Sequence, residues 1–108
     1  MIPRLVLLLL AAMLAGNATA DDLDELCAAG GYYSGAQDRF MSGVATHILQ
    51  KRGVLGTSLC SSQWQIAFQV GERFSKTGQS NPEDSPVLRH VTAFSTKVYS
   101  SVANGTGY

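Results

Sequence analysis

The chain contains two cysteines, Cys27 in ELCAAGG and Cys60 in TSLCSSQW. Their role decides how so short a chain can hold a core. The N-terminus indicates where they would be found. MIPRLVLLLLAAMLAGNATA carries one cation, Arg4, then an apolar run from Leu5 to Leu14, and closes on Ala18-Thr19-Ala20. This is the pattern of a secretory signal peptide over residues 1–20, with cleavage expected after Ala20. The run is short of the roughly 20 apolar residues that a membrane span requires. Removing 20 residues from 108 leaves 88, enough for one domain, which buries only about 60–65% of its unfolded surface. Export places both thiols where disulfides persist, and two cysteines in a small exported domain read as a disulfide. The bond would close a loop of 34 residues, Cys27 to Cys60 inclusive, contributing roughly 3–4 kcal/mol on the chain-entropy account. The alternatives need more than the sequence offers. A catalytic thiolate needs an acidified, accessible cysteine and usually a histidine, and neither His47 nor His90 is tied to a cysteine by a motif. Zinc calls for about four ligands at characteristic spacing. No catalytic residue, metal or cofactor is expected.

Charge narrows the partners. Loss of Arg4 with the leader takes Lys and Arg from 8 to 7 against 8 Asp and Glu, a formal charge of −1. Nucleic acid is not an expected partner, because a phosphate backbone is bound through a basic excess.

Four stretches carry helical rather than alternating periodicity. Asp21, Asp22, Asp24 and Glu25 suit a helix start, where the backbone dipole favours negative charge; this first helix should be short and stop at Gly30-Gly31. In the second, Phe40, Val44 and Ile48 recur every four residues beside a parallel stripe of Met41, Ala45 and Leu49. Lys51 and Arg52 suit its end and Gly53 stops it. Gly43 in its interior costs about 1 kcal/mol relative to Ala, which a close approach by another helix would explain; His47 reads as a helix-boundary residue. The third carries Ile66, Val70 and Phe74, widened by Trp64, Ala67 and Phe68. Ser62 and Gln65 fit a capping box there, which puts Cys60 just ahead of the helix. KTGQSNPEDSP reads as a surface connection. The fourth helix opens at Ser85-Pro86 and carries Val87, Val91, Phe94 and Val98. Asn104-Gly105-Thr106 also matches a glycosylation sequon. The expected architecture is all-α, a small four-helix bundle with one disulfide, over residues 21–100, with a flexible tail at 101–108.

The order of these features resembles the Rap/Tai family of periplasmic immunity proteins, which protect bacteria from type VI secretion amidase effectors. The matching residues are Phe40, Gly43 and Val44 in the second helix, Cys60 before the third, and Pro86, Val91 and Ala93 in the fourth. The resemblance spans roughly Leu23 to Tyr99. It implies a periplasmic inhibitor that binds a peptidoglycan amidase and blocks its cleft.

A second candidate class is the acid-stress chaperone of the Hde type, also exported, small, helical and closed by one disulfide. At about pH 2 the carboxylates are largely protonated, leaving roughly +10 from Lys, Arg, His and the α-amino group, a self-repulsion that opens a marginal domain. For a protein partner, exposed loops with aromatic or basic anchors are the candidates: the pair Tyr32 and Tyr33, Lys51 and Arg52 with the loop after them, and the segment Gln79 to Asp84, with Glu83 and Asp84. A homodimer is compatible too, since a domain this small gains burial by pairing.

Overall fold

The computed structural model describes residues 22–104. The leader expected over 1–20 and the last residues of the expected tail, 105–108, lie outside the described residues. The described residues form four α-helices: α1, helical from 22 to 35; α2, Arg39–Lys51; α3, Ser58–Thr77; and α4, Ser85–Asn104. A single 3₁₀ turn, Pro82–Asp84, precedes α4. The expected all-α bundle is what forms, with no strand among the described residues. No described helix is long and apolar enough to cross a membrane.

The bundle is built around α1. Residues 25–32 of this helix are buried without interruption, and Leu26, Cys27, Ala28 and Ala29 are fully so. A helix that is small and apolar on every side is covered on every side. Leu26, Cys27 and Ala29 pack with Met41, Ala45 and Leu49 of α2, Cys60, and Phe94 and Val98 of α4. Ala28 and Tyr32 pack with Ala67 and Val70 of α3 and Val87 and Val91 of α4. The stripe read for the fourth helix is thus the one buried.

The first helix does not stop at Gly30-Gly31. It runs a further turn, to 35, because its glycines are packing sites. A Cβ on Gly31 would stand 2.1 Å from the carbonyl oxygen of Trp64, and one on Gly35 would stand 2.2 Å from that of Phe68. Across the seam, a Cβ on Gly71 would stand 2.0 Å from the carbonyl oxygen of Tyr32. Backbone therefore meets backbone between α1 and α3, in the manner of small residues spaced four apart on facing helices. The actual stop is a left-handed residue, Gln37, at φ 63°. The Asp38 amide donates to the Tyr33 carbonyl at 2.9 Å and the Ala36 amide to that of Tyr32 at 2.8 Å, closing the carbonyls that the helix end leaves open.

Asp38 then caps α2, its Oδ1 accepting from the Met41 amide at 3.1 Å. The third helix begins one turn earlier than its Ser62–Gln65 pattern indicates. Thr57 is the N-cap residue, and its hydroxyl donates to the Val54 carbonyl at 2.7 Å. Cys60 consequently lies within the first turn of α3 rather than ahead of it. The helix ends at Gly78, left-handed at φ 69°, whose amide donates to Phe74 at 2.7 Å. Residues 101–104, expected in the tail, are the last turn of α4.

Cys27 and Cys60 are joined by a disulfide, with Cα atoms 5.4 Å apart. It ties the middle of α1 to the start of α3 from inside the core, since both cysteines are buried. Two ion pairs involve buried carboxylates. Lys97 donates to both oxygens of Glu25 at 2.9 Å, joining α4 to α1. Arg73 donates to Asp84 at 2.7 Å, joining α3 to the 3₁₀ turn. Asp22 and Arg52 form a third, more exposed pair.

Candidate functional site

Two apolar stripes run along α2, and only one enters the core. Met41, Ala45 and Leu49 are buried, whereas Phe40 is 66% exposed and Val44 and Ile48 are half-buried. Gly43 is exposed, with nothing within 4 Å of where its Cβ would lie. The close helix approach expected at Gly43 is therefore absent there; it occurs instead at Gly31, Gly35 and Gly71. Without a side chain at 43, the flank of Phe40 stands open. The result is a groove of about 780 Å³ along the outer face of α2, lined by Phe40, Gly43, Val44 and Ile48, with Arg39 at one end, Lys51 and Arg52 at the other and His47 on its rim.

Its charge is one-sided. No carboxylate lines the groove among the described residues. The nearest acid in sequence, Asp38, turns its Oδ1 to the Met41 amide, and Asp22 lies on Arg52. Arg39 and Lys51 make no ion pair among the described residues. Arg39 also sits in the first turn of α2, where the backbone dipole disfavours a cation.

The sequence-predicted anchors fall in three places. Lys51 and Arg52 are exposed and close one end of the groove. Tyr32 and Tyr33 belong largely to the interior: Tyr32 is buried and Tyr33 half-buried, their rings meet edge-on at 5.3 Å, and Tyr33 lies 6.2 Å from Phe94. Burial raises the pKa of both hydroxyls, opposed at Tyr33 by a hydrogen bond with Ser95. Glu83 is exposed on the 3₁₀ turn, but Asp84 beside it is buried. Its carboxylate accepts from the Asn81 amide at 2.9 Å as well as from Arg73. The Asn81 hydrogen bond, followed by the Arg73 contact, holds its pKa below the usual value despite burial. A carboxylate so engaged organises the loop and is not presented to solvent.

The helical periodicity of Phe40, Val44 and Ile48 predicts a core stripe; Val44 and Ile48 do pack against the edge of the core, but Phe40 is exposed. A signal for this exposure exists: α2 carries two complete apolar stripes, and one helix on the outside of a small bundle has room to bury only one. Among the described residues no group of three or more His, Cys, Asp and Glu is placed to hold a metal ion. Comparison with protein-family models, curated proteins and solved structures finds no match to the chain.

Proposed function

We propose that this protein is an exported inhibitory binding protein: an immunity protein of the periplasm that seats on a peptidoglycan amidase effector of type VI secretion and blocks its cleft. The observation that carries the reading is the Phe40–Val44–Ile48 ridge, with Phe40 exposed and Val44 and Ile48 half-buried, on a helix whose adjoining stripe is fully packed. A large aromatic side chain held exposed beside further apolar groups marks a surface that a partner covers. The disulfide supports it, since a locked scaffold loses less freedom on binding than a mobile one. The resemblance to the Rap/Tai proteins supplies the partner class. Co-expression with a cell-wall amidase encoded beside this chain tests it. The pair should co-purify, and the protein should restore growth when the amidase is directed to the periplasm; failure of both rejects the reading.

One observation favours the second reading, an acid-stress chaperone. Asp84, by pairing with Arg73, fastens the 3₁₀ turn to α3 through a carboxylate that acid neutralises. Opening there would uncover Val87 and Val91. Light scattering of an aggregating client near pH 2 (roughly two units below the ordinary carboxylate range) should then be suppressed by the protein; an unchanged scattering trace removes this reading.

A further inference from the structure

The α2 groove carries information about what fits it. Its floor is apolar, and its two ends are cationic. Arg39 and Lys51 are twelve residues apart on one helix, which at 1.5 Å per residue sets them about 18 Å apart along the axis. Both lack an ion-pair partner among the described residues. We infer that the groove takes a protein segment with an apolar face and a carboxylate at each end, about three helical turns apart. This specifies the chemistry of the partner's contact and rests on the reading of the protein as a binder.

Two competing occupants fit less well. A second copy docked antiparallel through the same face would set Arg39 of each chain against Lys51 of the other, and a parallel copy would set Arg39 against Arg39. Juxtaposed like charges oppose either pairing. An anionic lipid surface is attracted by clusters of about four to eight basic residues. Here three cations line the groove, and Asp22 already offsets Arg52. The bare notch at Gly43 beside Phe40 receives a side chain, which a flat headgroup layer does not supply. An acidic amphipathic segment satisfies all of these features: its apolar side chains cover Phe40, Val44 and Ile48, its carboxylates meet Arg39 and Lys51, and the one at Arg39 relieves a cation placed against the helix dipole.

The test uses the purified, isotope-labelled protein and defined probes. One probe is a helical peptide of about four turns with a leucine face and glutamates at both ends. A second has the same face with lysines at the ends. A third is a vesicle of mixed phosphatidylglycerol and phosphatidylcholine. The glutamate peptide should shift the amides of residues 39–52 and bind at least about tenfold more tightly than the lysine peptide, with the gap narrowing as salt is raised. Phe40→Ala, at an exposed site that leaves the core intact, should weaken it by about tenfold or more. The double variant Arg39→Glu, Lys51→Glu should invert the preference between the peptides. The inference is overturned by no binding, by equal binding of the two peptides, by shifts outside α2, by binding to vesicles in place of the peptide, or by a dimer that Phe40→Ala dissolves. The amidase co-purification is a separate assay. An amidase that still co-purifies with the Phe40→Ala and charge-reversed variants would overturn the groove assignment while leaving the immunity reading standing.

Discussion

Gly71 of α3 lies so close to the backbone of Tyr32 in α1 that a Cβ at position 71 would stand 2.0 Å from the Tyr32 carbonyl oxygen. The neighbour is main chain inside a packed helix and has no rotamer through which to move away. Gly71→Ala must therefore push the two helices apart. The expected loss is about 3 kcal/mol, at the upper end of what overpacking costs, even though Ala is the better helix former by about 1 kcal/mol. Thermal or urea unfolding followed by circular dichroism measures it; an unchanged midpoint would mean the seam is looser than described.

The opposite sign is expected at Gly43. This glycine is also inside a helix, but its Cβ would meet nothing within 4 Å. Gly43→Ala should raise stability by about 1 kcal/mol, the full propensity difference. The same melts decide it, and a loss instead of a gain would indicate that something covers position 43 in solution.

The end of α1 offers a third stability test. Gln37 is left-handed at φ 63° without being glycine. Gln37→Gly should stabilise by about 1 kcal/mol, the scale of the penalty that a side chain pays there. Hydrogen exchange at the amides of Ala36 and Asp38, which close this turn, should slow in step.

These three sites also show what could be read from the residues alone. The helices α2, α3 and α4 were legible because local chemistry marks them: apolar repeats at helical spacing, Lys51 at the end of α2 and Gly53 after it, the polar connection after α3, Ser85-Pro86 opening α4. The length of α1 was not. Gly30-Gly31 has the composition of a stop, while the true stop at Gln37 lacks the usual glycine. Only the approach of α3 makes those glycines a seam, and that approach is tertiary. The candidate site was half legible. Lys51 and Arg52 stood out by charge, but Phe40, Val44 and Ile48 lie about 100° around the helix from Met41, Ala45 and Leu49. Which of two adjoining stripes turns inward depends on where α1 lies, and no property of α2 by itself chooses. The polar neighbours of Asp84 predict an exposed anchor; the residue is instead buried and engaged by Arg73, eleven residues away on α3.

Reduction should weaken the fold substantially. The disulfide closes 34 residues, and its removal by Cys27→Ser with Cys60→Ser should cost about 3–4 kcal/mol. Because both sulfurs are buried, a reductant should act on the native protein only as fast as the protein opens. Thiol titration over time, with and without mild denaturant, checks the kinetics, and rapid labelling in native buffer would contradict the burial.

Acid should loosen the turn before α4. The pKa of Asp84 is lowered in the folded state, first by the Asn81 amide and then by Arg73. A carboxyl depressed by folding contributes stability that is full above its unfolded value, about 3.9, and is lost as pH falls through the folded value. Stability should therefore decline below about pH 4, and Asp84→Asn should flatten that decline while lowering stability at neutral pH by about 1–2 kcal/mol. Denaturant midpoints collected across the acid range give both quantities; a variant with the same acid slope as the parent would place the responsible proton elsewhere.

The position of α1 has a consequence for how the molecule is made. Of the four described helices, the one at the centre is synthesised first, and part of its cover, α4, last. Glu25 waits for Lys97, seventy-two residues downstream. Nascent chains acquire structure from the N-terminal side as they emerge, yet here the interior cannot close until α4 arrives. A polypeptide halted before Phe94 and Val98 would leave Leu26, Cys27 and Ala29 uncovered on the α4 side, so degradation of forms that lack α4 should be swift.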